Sequence, residues 1–171
     1  MSIVAAFLIA SLAMTQASVA RALTEPLVAQ AVVDAPAEKV WEAFITKEGI
    51  ESWMAASGDI DLRIGGLMRT TYRRGADLDG ETAIHQTILS IDPGRMLSFR
   101  AIKSPKDFPF AEAISKSWTV VYLDPVETGR TRVTVKMLGY DNEPESQKMR
   151  AFFELGNKTT LDALVKRFVA R

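Results

Sequence analysis

Residues 142–168 read NEPESQKMRAFFELGNKTTLDALVKRF, and this stretch decides the fold. Apolar or small residues recur in it at steps of three and four from Met149 to Phe168, the spacing of one face of an α-helix. Pro144 suits a first helical turn, and Asn142 with Glu145 forms a capping pattern in front of the apolar stripe. The segment therefore predicts one amphipathic helix of roughly 25 residues, about 38 Å long.

The chain before this helix is dominated by short strands. A first strand is predicted at Leu27–Val33, and Asp34-Ala35-Pro36 then starts the first of two short helices, with Asp34 accepting a bond from its free N–H groups. From residue 60 to residue 138, apolar runs are separated by turn signals such as Gly65-Gly66 and Asp92-Pro93-Gly94. Strands joined by short turns indicate an antiparallel meander.

These elements predict an α+β fold. A curved antiparallel sheet of six to seven strands wraps round the long C-terminal helix, and two short helices follow the first strand. The helix is needed because one apolar face of the sheet must be covered. A strongly twisted sheet that grips a helix leaves a void at one end, and such voids are the usual ligand sites.

Composition excludes several classes of protein. The chain of 171 residues is 47% hydrophobic and 25% charged, which is ordinary for a globular domain. Lys plus Arg and Asp plus Glu both total 21, so the uniform basic field typical of nucleic-acid binding is missing. Without Cys and with a single His, thiolate and multi-His metal sites are excluded. We expect no metal, no cofactor and no nucleic-acid partner.

The N-terminus reads as a signal peptide over residues 1–20. Ile3 to Met14 is a 12-residue apolar run, too short to span a bilayer, and small residues follow it. Cleavage is predicted near Ala20 or Ala22, which implies a periplasmic or secreted protein. No Lys or Arg precedes the run, so an uncleaved membrane anchor or a buried N-terminal helix stays open, and a chain without a signal would be cytoplasmic.

Several segments together resemble the START-like superfamily known as SRPBCC, which has the helix-grip fold, and within it the heat-shock ATPase activator homologue branch. The segments are DAPAEKVWEAF at 34–44, Trp53, Gly65-Gly66, LSIDPGRML at 89–97, Trp118, TRVTV at 131–135 and the closing helix. The similarity covers residues 27–168 as a single domain. It implies a domain that holds a small, mostly apolar molecule or docks on a protein partner. Some members are cyclases or dehydratases. The branch name implies stimulation of a cytosolic chaperone, which an exported chain would not meet.

Alternation along the strands and helical spacing predict which side chains line the space under the helix. The expected lining is Trp53, Met68, Thr70, Tyr72, His85, Thr87, Leu89, Phe99, Trp118, Val120, Met137, Phe153, Gly156, Asn157 and Thr160. The small residues in the middle of the helix either leave volume for a ligand or permit a close helix–sheet approach, and the sequence leaves both open.

Three functions follow from this reading. The leading hypothesis is an exported domain that binds a small hydrophobic or amphipathic molecule. The first alternative is a protein-interaction or co-chaperone-like module, which would use Phe108 and Phe110 in the Pro-rich loop 104–111 as a docking surface; in the ligand reading the same loop is a flap over the cavity. The second alternative is a cyclase- or dehydratase-like enzyme. His85 is the candidate for acid–base chemistry there, although no nucleophile or carboxylate partner is evident.

Overall fold

A computed structural model describes residues 24–169. The predicted signal peptide, residues 1–20, and both cleavage positions lie outside the described residues. The elements, in chain order, are β1 (Leu27–Val33), α1 (Ala37–Ile45), α2 (Lys47–Glu51), β2 (Ser57–Ile60), β3 (Leu67–Thr71), β4 (Ile84–Asp92), β5 (Met96–Lys103), α3 (Ala111–Lys116), β6 (Trp118–Glu127), β7 (Arg130–Leu138) and α4 (Pro144–Phe168).

The seven strands form one curved antiparallel sheet in the order β1-β7-β6-β5-β4-β3-β2. From β2 to β7 each strand pairs with its neighbour along the chain, so the predicted meander is confirmed. β1 closes the opposite edge by pairing with β7, from Leu27 opposite Met137 to Val33 opposite Thr131. The α+β class, the strand number and the grip of the sheet on the last helix are therefore as predicted.

Helix α4 has 25 residues and is anchored to the sheet near both of its ends. Towards its C-terminus, Leu161 and Leu164 are buried in the main apolar core. Towards its N-terminus, Met149 packs in a second, smaller core with Met137 and Tyr140. The middle of the helix lies between these two cores, and that position is where the candidate site is found.

The short helices brace one end of the sheet. In α1, Val40, Ala43 and Phe44 are buried. Thr46 caps α2 by accepting a bond of 3.0 Å from the Gly49 N–H, because a hydroxyl one residue before a helix can satisfy its free N–H groups.

The sequence-based expectation for Asp34 is wrong. Helix α1 has Pro36 as its N-cap, with no capping side chain, because Asp34 lies two residues further upstream. The Asp34 carboxylate instead accepts a bond of 3.0 Å from Arg130 Nε. The loop predicted at 104–111 ends one residue earlier in the structure, because helix α3, which the sequence did not predict, begins at Ala111.

Candidate functional site

A cavity of about 470 Å³ lies between the concave face of the sheet and the middle of α4. Eight aromatic side chains make up much of its wall: Phe44, Trp53, Tyr72, Phe99, Phe108, Trp118, Phe152 and Phe153. Trp53 is fixed by a bond of 3.0 Å from its Nε1 to the Ala43 carbonyl and by an edge-on contact with Phe44. Aromatic rings held in this way offer a ligand large, rigid contact surfaces.

The helix contributes small and polar residues to this wall. A Cβ atom added at Gly156 would meet only the Phe153 ring, at 3.9 Å, so open space lies beside this glycine. One turn further on, Thr160 donates a hydrogen bond of 2.9 Å to the Gly156 carbonyl, and Asn157 Nδ2 lies 3.4 Å from Met137 Sδ. The sequence left open whether these small residues leave volume for a ligand or permit a close helix–sheet approach. The structure has open volume under the centre of the helix.

Ten of the fifteen residues expected on the lining are found there. They are Trp53, Thr70, Tyr72, Phe99, Trp118, Met137, Phe153, Gly156, Asn157 and Thr160. Met68 also points inwards as predicted, but it does not line the cavity because it is packed in the solid core beside it. The helix, β3, β5 and β7 thus have the predicted inward faces.

The predictions for β4 are wrong because the strand contains a β-bulge. Ile88 pairs with Phe99 and Ser90 with Ser98, which leaves Leu89 as an extra residue. Counting back from Ile91 at a period of two crosses this bulge and selects the wrong face. Thr87 and Leu89 therefore do not line the cavity; Ile84 and Gln86 do. Apolar residues at both parities of the strand, Ile88 with Ile91, are the sequence signal that could have revealed the bulge.

His85 lies on the outer face of the sheet and is not a cavity residue. Its Nε2 donates a bond of 2.7 Å to the Leu78 carbonyl and lies 3.6 Å from Asp79 Oδ1. Opposite it on β3, Arg69 binds the carboxylates of Asp59 and Asp79. The imidazole therefore belongs to a surface charge cluster and does not reach the cavity, which removes the residue on which the enzyme alternative depended.

On β6 the more apolar set of residues faces the cavity only at Trp118. Thr119 and Val121 line the cavity, whereas Val120 does not. Tyr122, in the same alternation as Val120, is 37% exposed, and Lys136 Nζ lies 5.4 Å from its ring centroid. A cation over an aromatic ring stabilises an outer-face Tyr, so apolarity alone does not identify the inward face.

The loop between β5 and α3 folds back against α4. Phe108 lies on the cavity lining and packs against Phe110, Phe152 and Phe153, with ring centroids 5.6, 6.2 and 6.4 Å apart. These spacings are those of favourable edge-on and tilted aromatic pairs. The position of this loop therefore agrees with the flap expected from the sequence. Phe152 and Ser104 also line the cavity, although the sequence did not predict them there.

Comparison with known proteins agrees with this geometry. The family model described as "Activator of Hsp90 ATPase homolog 1-like protein" matches residues 34–168. The chain belongs to this family. The resemblance drawn from the segments at 34–44 and 89–97 is thereby confirmed, and no curated protein matches the chain.

Solved structures related to this activator-homologue chain have the same fold. A protein from Mesorhizobium loti is 21% identical, with a TM-score of 0.64 over 84% of this chain and 96% of that one. The Aha1 dimer from Colwellia psychrerythraea is 14% identical, with a TM-score of 0.66 over 85% and 96%. CalU16 from Micromonospora echinospora is 22% identical, with a TM-score of 0.59 over 83% and 74%. At these identities the likeness establishes the fold alone.

Within residues 24–169 of this activator-homologue domain, the cavity lining contains no charged side chain. The same residues hold no group of three or more His, Cys, Asp or Glu side chains that could bind a metal, and none of their helices is long and apolar enough to cross a membrane. The chemistry that the cavity offers is therefore apolar contact together with neutral hydrogen-bonding groups.

Four of the neutral polar side chains on the lining are open to the cavity. Thr70, Tyr72, Gln86 and Thr119 make no side-chain hydrogen bond to another residue of the described chain, and every fully buried side-chain N or O atom in that part has a partner. Tyr72 is 67% exposed, and its hydroxyl is protonated at neutral pH, so it can both donate and accept a hydrogen bond.

Proposed function

We propose that this domain binds a small, uncharged, largely apolar molecule in the cavity between the sheet and α4. The observation that carries the proposal is a cavity of about 470 Å³ with eight aromatic side chains and no charged one on its wall. Sites for small ligands are typically apolar, a few hundred Å³ in volume, and supplied with a small number of polar groups that orient the ligand.

The driving force is removal of apolar ligand surface from water, worth about 25 cal/mol per Å². Ordering of the ligand and desolvation of its polar groups offset part of this. An ionised group inside the cavity would lose its hydration and meet no opposite charge on the wall, so a charged ligand is disfavoured unless its charge stays outside.

Two dyes that share the same rings test this proposal. N-phenylnaphthylamine is neutral, and anilinonaphthalene sulfonate is the same molecule with an added sulfonate. We expect the neutral dye to bind at one site per chain, with energy transfer from Trp53 and Trp118 on the lining, and the sulfonate to bind at least about tenfold more weakly. Failure of the neutral dye to bind, or equal affinity for both dyes, contradicts the proposal.

We further propose that the ligand is met outside the cytosol. The apolar run from Ile3 to Met14 and the small residues after it support export. Native mass spectrometry of the protein from its own envelope fraction tests this together with ligand binding. A mature chain beginning at Arg21 or Leu23, with a co-purifying small molecule, is the expected result; an intact chain in the cytosolic fraction contradicts export.

A protein partner is the second candidate function, and exposed apolar side chains on α4 favour it. Phe152 is 52% exposed and Leu155 is 70% exposed on neighbouring turns of this helix. Exposed apolar side chains grouped on one face are a feature of interaction surfaces. A domain that only docks on a partner would be indifferent to filling of the cavity, so the Gly156 variants described below separate the two functions.

A further inference from the structure

We infer that the cavity selects a molecule with an apolar middle and an uncharged hydrogen-bonding group at each of two separated ends. This inference rests on the proposed function and specifies its ligand class. It comes from two patches of neutral polar side chains on the wall and the apolar strip between them. Ser104, Ser117 and Thr160 also line the cavity, the last two with their hydroxyls bonded to backbone carbonyls.

The first patch lies on β3 and β4 and consists of Thr70, Tyr72 and Gln86. Thr70 pairs with Ile84 and Met68 pairs with Gln86, so Thr70 and Gln86 are diagonal neighbours on the inward face, about 7–8 Å apart. Tyr72 lies directly after β3 and also borders the cavity, with 67% of its surface exposed. These side chains make no side-chain hydrogen bond within residues 24–169, so the hydroxyls and the amide are available to a ligand.

The second patch lies where β6, β7 and α4 meet and consists of Thr119 and Asn157. Thr119 pairs with Met137 across β6 and β7, and Asn157 Nδ2 lies 3.4 Å from Met137 Sδ. Both polar side chains therefore flank the same methionine, one from the sheet and one from the helix. The weak contact with sulfur leaves the Asn157 carbonyl oxygen open.

An apolar strip on β5 separates the two patches. Gln86 pairs with Ala101, and Thr119 pairs with Phe99, two residues away from Ala101 on the same strand. Two strand spacings and two residues of rise place the backbones of Gln86 and Thr119 roughly 12 Å apart. A single hydroxyl group cannot serve both patches. A ligand without polar ends would cover open donors and acceptors and leave them without water, which disfavours it.

A series of three biphenyls tests this inference: unsubstituted biphenyl, biphenyl with one para hydroxyl, and biphenyl with a hydroxyl at each para position. Affinities are measured by competition with bound N-phenylnaphthylamine. We expect the dihydroxy compound to bind at least about tenfold more tightly than the monohydroxy compound on the wild-type chain. Equal affinities across the series overturn the inference but leave the proposed function standing. If neither the dye nor any biphenyl binds, the proposed function itself fails.

Two variants test whether the two patches cause the preference for the dihydroxy compound. Gln86→Leu and Thr119→Val each remove polar atoms at nearly constant volume, and each is expected to weaken the dihydroxy compound about 5- to 20-fold while unsubstituted biphenyl binds at least as well as before. Thr87→Val on the outer face of β4 is the matched control, and Thr119→Ser keeps the hydroxyl and should keep the preference. Unchanged affinity of the dihydroxy compound in both folded cavity variants overturns the inference. If a variant does not fold, the wild-type series decides alone.

Discussion

Filling the space beside Gly156 is expected to raise the free energy of unfolding and to weaken ligand binding. It sits in the middle of α4, where the two flanking cores hold the helix and the cavity lies beneath. Because a Cβ atom there has only the Phe153 ring nearby, at 3.9 Å, Gly156→Ala fits without a clash and the Cβ of Gly156→Leu enters the same open space. The two substitutions differ in how far they reach into the cavity.

The expected magnitudes follow from helix propensity and apolar burial. Glycine in a helix interior costs about 0.8–1 kcal/mol relative to alanine, so Gly156→Ala should raise the free energy of unfolding by nearly that amount. Gly156→Leu should gain a similar propensity term and up to about 0.8 kcal/mol for each further carbon that it buries against the wall. For a domain of this size each kcal/mol corresponds to about 2–4 °C in melting temperature.

Binding should respond in the opposite sense. The alanine variant leaves most of the cavity of about 470 Å³ and should bind N-phenylnaphthylamine within about twofold of wild type. The leucine variant should bind it at least about tenfold more weakly, a loss of about 1.4 kcal/mol. Thermal denaturation and dye titration on the same three proteins give both quantities. Wild-type affinity in a folded leucine variant, or a fall in stability for both variants, would refute the reasoning, since the space beside Gly156 would then be neither open nor used.

Two further predictions concern residues away from the cavity. His85→Ala should leave dye affinity unchanged, because the imidazole bonds to the Leu78 carbonyl on the outer face; a loss of dye binding would mean that the outer face takes part. Burial raises the pKa of Tyr140 to about 12, partly opposed by Arg150, against an ordinary value of 10.0. The folded state holds this proton more tightly than the unfolded state. The contribution of Tyr140 to the free energy of unfolding is therefore intact below pH 10 and is lost as the pH rises towards 12, by at most about 2–3 kcal/mol. Urea denaturation across this range should show a shallower decline for Tyr140→Phe than for wild type, and identical slopes would contradict it.

The parts of the fold that could be predicted from sequence are those fixed by local chemistry. The helix Pro144–Phe168 has apolar or small residues at helical spacing from Met149 to Phe168, and β1 has the predicted bounds of Leu27 and Val33. The antiparallel order followed from short turns, such as the one that contains Gly94 with a φ of 75°. The helix Ala111–Lys116 was missed because six residues are too few to display a period.

The candidate site was partly predictable for a similar reason. Gly156, Asn157 and Thr160 stand out on the sequence because small and polar residues are poor choices for a helix whose only task is to cover a sheet. The faces of β4 and β6 could not be assigned in this way, since they depend on pairing between strands. Val120 shares the outer face with Tyr122, which is stabilised by Lys136 on the neighbouring strand. A count of apolar residues along β6 alone cannot reveal this contact.

The bulge at Leu89 ties these observations together. Ile88 and Ile91 both pack against the main core although they are three residues apart, and a regular strand would turn one of them outwards. The extra residue changes the alternation, so that Ile91 faces inwards after the bulge while Ile88 and Gln86 face inwards before it. Had β4 been regular with Ile91 inside, His85 would have entered the cavity and placed a titratable group on its wall. The bulge therefore keeps the lining neutral, and the preference for uncharged ligands follows from strand register as much as from the choice of side chains.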